Sequence, residues 1–557
     1  MSALLSRLEV PSYGGGSRWL DNEDLRPFPR ERRTWGMTFF NLFWLSAVPN
    51  VSNMISGSSF LSFGLTYWEG VASSTAGFFL VSIFMALNGR PGAFWHIPFP
   101  VVARSSFGVV GYAWPALNRV AMGWVWNGVN TVSGAQCLYT MFYAVFPSLG
   151  NIKNTMSSGS ALSSAEYIFF FVFIALTGLM LLLDVRRWSI LVYAKLVIFT
   201  LSAAGMIALG VHSAGGVGPV VSTPSQVHGS EKAWLIIRFI LTSAASCSTF
   251  ASNAADWQRN ARKPNDPIIG QLVGFPLANF IVQSIGMLIA STSAGVYGQV
   301  IWNPVVYLQK LLEDDYTAGR RAGVFFIAGG FVFSLLYSCV IENVYCASND
   351  LASLAPRFIS VKRGYVVCLI ATILIMPQYL LGSASIFISV LASYQIFLFS
   401  IMAIMLAHYY LVAKGLYDIE ALYTTNKQGT YFYTYGVNMR AIAAYFVGVA
   451  VNFAGFLQNL GVVEVDNVAL QRSYFFSIFT TTVAAGGTYY ILCKIFPQVD
   501  ARKKWSEPKG GWEPDMASST SIEASSKDEE KTSVDDFDKG EGGIVSSSVE
   551  VPELTRA

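Results

Sequence analysis

The chain has 557 residues, of which 53% are hydrophobic, 14% aromatic and only 13% charged. An ordinary soluble domain carries about 25% charged residues, and a formal net charge of +3 gives no basic field for nucleic acid. Tyr167–Leu183 holds no charge at all and Ile190–Val211 only Lys195, against the roughly 20 apolar residues that a bilayer core requires of a spanning helix. The composition is that of an integral membrane protein.

The first 35 residues are polar and rich in arginine, without the apolar core of a cleavable signal peptide. Twelve apolar segments follow, expected to be helices near 37–57, 69–88, 112–145, 165–183, 188–210, 233–253, 267–291, 324–352, 364–380, 384–412, 441–461 and 473–496. They are numbered one to twelve below. The loops near 146–164, 211–232 and 292–323 are too short for an independent core. Basic residues concentrate in one of the two sets of loops, the other keeping only Lys153, Lys232, Lys310, Arg320, Arg321 and Arg472. Arg26 to Arg33, Arg90, Arg104, Arg186, Arg187, Arg259, Arg262, Lys263, Arg357, Lys362, Arg363, Lys414, Lys427 and Arg440 all fall on the side of the N-terminus. The positive-inside rule then puts both termini in the cytoplasm. After Pro497 the composition turns to Ser, Asp and Glu. Residues 516–557 have one aromatic, Phe537, and read as disordered, with Lys527, Lys531 and Lys539 as possible modification sites.

Polar residues inside these segments mark the candidate site. Segment one is interrupted at Val48-Pro49-Asn50-Val51-Ser52-Asn53, and proline removes an amide donor there. Five segments later, segment six is interrupted at Ser246-Cys247-Ser248-Thr249, followed by Ser252 and Asn253. Interrupted helices at corresponding positions of two halves point to a transporter's central site. In segment three, Trp126 and Asn130 share one helix face. An indole face stacks on a flat heterocycle while an amide offers donors and an acceptor. Segment eight carries Ser338, Glu342, Asn343 and Asp350. Glu342 is expected to pair with a polar neighbour or to take part in proton movement, and Asp350 to lie towards the cytoplasmic interface. The six cysteines sit in apolar stretches and the four histidines have no metal spacing, so no disulfide framework, metal site or cofactor is expected. P-loop, HExxH and GxSxG motifs are absent, and Gly14-Gly15-Gly16 has no strand before it and no Lys-Ser/Thr after it. Neither an enzyme nor an ATP-driven pump is expected.

Several ordered stretches carry a family resemblance. They are Asn22-Glu23-Asp24-Leu25-Arg26-Pro27 with Arg33-Thr34-Trp35, His96-Ile97-Pro98-Phe99-Pro100 with Ala103 to Gly108, and Trp114-Pro115-Ala116-Leu117-Asn118-Arg119. Further ones are Asn253 to Arg259, Asn349-Asp350-Leu351, Lys362-Arg363-Gly364, Tyr394-Gln395-Ile396-Phe397 and Gly436 to Ala441. Over roughly residues 20–500 the chain resembles the nucleobase:cation symporter family of the purine-cytosine permease superfamily, in its fungal uracil/allantoin permease branch. The resemblance implies an all-α fold of LeuT type. Two inverted five-helix repeats (36–210 and 233–412) would be followed by helices eleven and twelve (441–496), between cytoplasmic tails 1–35 and 497–557.

It also implies roles. Trp126 would stack on the substrate, and Asn130, Asn343, Cys247 and the unwound Asn50, Ser52 and Asn53 would contact it. Ser338 falls where sodium-coupled members place a cation-binding hydroxyl. Glu342 and Asp350 are candidates for proton coupling or inner gating, and Tyr394 for the outer gate. The family typically has Gln where Asn130 stands, and often Trp or Lys where Cys247 stands. The implied function is secondary active import of a nucleobase-like heterocycle such as uracil, allantoin or uric acid with a cation, a proton rather than sodium, across the plasma membrane. A larger substrate such as a nucleoside or a thiamine-like vitamin, or a nutrient receptor that does not transport, stays open. The expected partners are the bilayer, the small-molecule substrate and, through the tails, ubiquitin and trafficking machinery.

Overall fold

The computed structural model describes residues 9–10, 17–183, 188–463 and 467–508. The tail segment 516–557, its three lysines, and Arg186 and Arg187 lie outside the described residues. Every one of the twelve apolar segments falls on helix, and no strand occurs among the described residues. Among the described residues six helices are singly long and apolar enough to cross a membrane: Tyr67–Trp95, Ile190–Ala214, Asp266–Tyr297, Ala318–Leu354, Ala384–Val412 and Met439–Asn459. Val468–Phe475 and Ser477–Ile495 together form one further span bent by 69°. Segment three is one continuous helix, Ala113–Tyr143, and the rest are broken or short, for reasons that can be read residue by residue.

Segment one is two helices, Met37–Ala47 and Val51–Ser58, with Asn50 capping the second by accepting from the Asn53 amide at 2.8 Å. Segment six is Gly229–Ser246 and Ser248–Ser252, broken at Cys247, with a second break at Asn253 before Ala254–Gln258. Segment eight is continuous but widens to π-turns over Ser338–Val344, a feature common at functional sites because it re-aims side chains without ending the helix. Two helices not expected from the sequence, Phe99–Phe107 and Pro304–Asp314, lie in connections. Both are short, with proline in the first turn.

The backbone freed at the breaks is satisfied by side chains from other segments, as a water-poor interior demands. Asn88 of segment two donates to Ala251 and Ser252 carbonyls at 2.9 and 2.8 Å. Ser334 of segment eight donates to the Pro49 carbonyl at 3.1 Å. Segments two and six approach backbone to backbone. A Cβ on Gly77 would stand 2.1 Å from the Ile240 carbonyl oxygen, and one on Gly92 2.5 Å from Ala255 Cα.

Residues 17–35 are more than a tail. Phe28 N donates to the His96 carbonyl at 3.0 Å, Tyr423 OH to Leu25 O at 2.9 Å, and Trp35 N to Asn260 O at 3.0 Å. The C-terminal stretch reaches the same end of the bundle, where Glu507 pairs with Arg90 at 2.8 Å and accepts from Tyr409 OH at 2.7 Å.

Replacing Gly77 by Leu is expected to destabilise the protein by about 1–3 kcal/mol or more through overpacking. Gly487→Ala, where a Cβ meets nothing within 4 Å, is expected to leave stability unchanged or slightly raised. Melting of both variants in detergent checks this; equal melting temperatures would mean that the two helices separate freely.

Candidate functional site

The two breaks and the widened turn of segment eight face one another across segment three. Between them lies a cavity of about 30 Å³, lined among others by Asn50, Asn53, Trp126, Asn130, Cys247, Glu342 and Asn343. Such a space holds about one or two waters, so a ring-sized ligand enters only when the walls move.

Each wall residue has a local cause for its placement. Asn343 is turned inward by the π-turns, and its amide donates to the Ser338 carbonyl at 3.2 Å. Cys247 occupies the junction of two helices. Trp126 is half-buried, and its Nε1 donates to Tyr394 OH at 3.2 Å. Tyr394 OH donates in turn to the Ser246 carbonyl at 3.0 Å, which ties segments three, ten and six over the cavity. Asn130 is 3% exposed, and its Oδ1 accepts no hydrogen bond. An acceptor left bare at this depth costs about 1–3 kcal/mol, so it suits a ligand that brings an N–H.

Not every expected residue meets the cavity. Ser52 Oγ donates to Ser133 Oγ at 3.4 Å, on segment three, away from the opening. Ser338 lies behind the wall. Its hydroxyl accepts from Asn50 Nδ2 at 3.2 Å and donates to Glu342 Oε1 at 3.1 Å. Asp350 is fully buried beside Arg119, with Arg119 Nε 3.2 Å from its Oδ2. It is therefore not the interfacial carboxylate that its place in segment eight suggested. The helix carries it under segment three, where Arg119 meets it.

Two charged residues of this region escaped the sequence reading. Lys195, 0% exposed, brings its ammonium to the Ala47 carbonyl at 2.7 Å, to Ser338 Oγ at 3.0 Å and to Glu342 Oε1 at 3.2 Å, with the Tyr337 ring 4.7 Å away. Its signal was the single charge in Ile190–Val211. Arg119 also lines the cavity. With the Asn253 amide oriented to satisfy both its atoms, Asn253 accepts from Arg119 Nη2 at 2.9 Å and donates to the Thr249 carbonyl at 2.7 Å. Its signal was an arginine inside the apolar run of segment three. Asp256, just beyond Asn253, accepts from the Phe99 amide at 2.8 Å.

The arrangement can hold a flat polar ring between an indole and amides, beside a buried cation–carboxylate node. Among the described residues no group of three or more His, Cys, Asp or Glu is arranged to hold a metal ion. Residues 27–476 match the family model described as permease for cytosine/purines, uracil, thiamine, allantoin. The chain belongs to this family. It is a multi-pass membrane transporter and not an enzyme. Relatives include the uridine permease of Saccharomyces cerevisiae, 33% identical over 487 residues (86% of this chain, 76% of that one). The uracil permease of the same yeast is 31% identical over 483 residues, again 86% and 76%. Among solved structures, a nucleobase-cation-symport-1 family transporter in a closed conformation with bromovinylhydantoin bound is similar. It has TM-score 0.68 at 19% identity, covering 86% of this chain and 97% of that one. That likeness establishes the fold, the all-α LeuT type expected from the sequence.

Removing one partner of the buried node is expected to be costly. Lys195→Met leaves Glu342 without its cation and should destabilise by roughly 3–5 kcal/mol. The double variant Lys195→Met/Glu342→Gln should recover most of that stability while uptake stays below about a tenth of the original. Melting and uptake measured on the same preparations check this; full transport by the stable double variant would remove the node from the mechanism.

Proposed function

We propose that this permease imports a nucleobase-like lactam with a proton by alternating access across the plasma membrane. The observation that carries the reading is the seat of Lys195. Its ammonium bonds the Ala47 carbonyl at the break of segment one and the Ser338 hydroxyl of segment eight. The resemblance assigns that hydroxyl to a bound cation in sodium-coupled members. A covalently attached cation stands there instead, so the exchangeable charge is a proton, carried at the Lys195–Glu342 node. Arg119 and Asp350 form an inner gate in this reading, and Tyr394, bonded to Trp126 and Ser246, the opposite one.

The substrate contacts follow from the cavity wall. Trp126 stacks on the ring, the bare Oδ1 of Asn130 accepts an N–H, and Asn343 bonds another edge. Uracil, whose permease is among the relatives, supplies such an edge. A nucleoside is the second reading, supported by the uridine permease and by the small Asn130 and Cys247 side chains. Residues 17–35 and 497–508 both meet the C-terminal end of the helix Tyr67–Trp95, through Phe28 with His96 and Glu507 with Arg90. Together with the basic loops this supports two cytoplasmic termini. The tail lysines Lys527, Lys531 and Lys539 are then available to ubiquitin and trafficking machinery.

Labelled uracil uptake into cells stripped of their own permeases is the test, at acidic and neutral external pH, in sodium and in choline medium. Saturable uptake should fall at neutral pH, be indifferent to sodium, and drop at least about tenfold in Asn343→Ala at equal surface abundance. Competition by uridine stronger than by uracil would select the second reading. Sodium-dependent uptake without pH dependence would sink the proton assignment.

A further inference from the structure

Segment six carries one charge, Arg238, with a different treatment. Arg238 lies with its guanidinium over the rings of Phe63, Phe239 and Phe475, at 5.3, 5.9 and 5.8 Å. Arg472, just before the bend of segment twelve, lies over Trp234 at 4.9 Å. The two are reciprocal. Trp234 is one turn from Arg238, and Phe475 one turn from Arg472, so both guanidiniums share one aromatic seat where the helices Gly229–Ser246 and Val468–Phe475 pack together. Among the described residues neither makes a hydrogen bond or an ion pair. By contrast Lys232, on the same helix, is paired with Glu69.

Ring contacts serve the faces of a guanidinium. Its five N–H groups point outward in the plane and require acceptors. In a membrane protein a cation without one is costly. Depth identifies the acceptor. Arg238 lies nine residues before the break at Cys247, roughly 14 Å along the helix at 1.5 Å per residue. With the break near the midplane, that is about half the 30 Å hydrocarbon thickness, the level at which phospholipid phosphates begin. A phosphodiester presents oxygens in the geometry a guanidinium fork matches.

We propose that Arg238 and Arg472 together bind the phosphodiester of a membrane phospholipid seated between segment six and the bent end of segment twelve. The lipid holds segment twelve against the outer helix of segment six, one of the two helices that meet at Cys247.

The test uses the purified full chain in vesicles of phosphatidylcholine containing a photoreactive phosphatidylserine. Crosslinks are expected at 234–239 and 472–476, and their yield should fall about tenfold or more in Arg238→Gln/Arg472→Gln. Arg238→Lys/Arg472→Lys should keep part of it, and Arg262→Gln all of it. Undiminished crosslinking in the double Gln variant overturns the proposal. So does competition by inorganic phosphate, which would make the ligand a soluble anion. Should the double variant not fold, crosslinks of the unaltered protein that avoid both stretches overturn it equally.

Discussion

The ammonium of Lys195 is the interaction on which the rest of this site depends. Breaking segment one frees carbonyls in a region where water cannot reach them, and such groups need a protein donor. Lys195 gives one N–H to Ala47, one to Ser338 and one to Glu342. All three donors are thereby used, and segments one, five and eight are tied at one point. Taking two charges out of water carries a large desolvation cost, repaid only where geometry is good and the remaining donors are bonded. That condition is met here, and so the break in segment one and the pair of charges exist because of each other.

The same logic runs through the second break. The carbonyls freed around Cys247 and Asn253 are taken by Tyr394 from segment ten and Asn88 from segment two. Hydrogen bonds from side chains to an interrupted backbone can be exchanged without unfolding a helix. In the proposed reading Tyr394 leaves Ser246 and Trp126 together, while Asn88 keeps the end of segment six beyond Cys247 in place. A cavity of about 30 Å³ is then one station in a cycle whose other stations need these bonds rearranged. Two amides, a half-buried indole and an unpartnered oxygen are the chemistry that a planar lactam would complete.

Much of this was legible beforehand. Apolar runs located the helices because bilayer thickness leaves little freedom in length. Pro49 and the Ser-Cys-Ser-Thr run marked both breaks because each lacks what a membrane helix needs. Trp126 and Asn130 were visible by their four-residue spacing. Pairing across the chain was not. Lys195 and Glu342 are 147 residues apart, and nothing local in segment five distinguishes a buried, paired lysine from one that reaches for the interface. Arg119 and Asp350 raise the same difficulty, and the expectation of an interfacial Asp350 failed because distance along a helix does not say which neighbour covers it. The helices Phe99–Phe107 and Pro304–Asp314 are too short for periodicity to announce them. The binding of residues 17–35 depends on His96, Asn260 and Tyr423, three distant partners that no local pattern names.

The buried Lys195 and Arg119 are held differently from the half-buried Arg238, and the difference is informative. Lys195 and Arg119 face carboxylates across helix boundaries at 3.2 Å each, both beside the cavity, where a change of charge would alter how segments three, five and eight hold together. Arg238 has rings on its faces and no acceptor in the described protein at its edges. Glu342, facing Lys195, can take up one proton and leave a single buried positive charge, which suits the proposed coupling. A guanidinium keeps its charge at any physiological pH and is suited to a permanent anion. The Lys195–Glu342 pair, which can change its charge, sits at the break of segment one. Fixed charge without a protein partner stands about half a bilayer away, where the surrounding membrane can supply the missing acceptor.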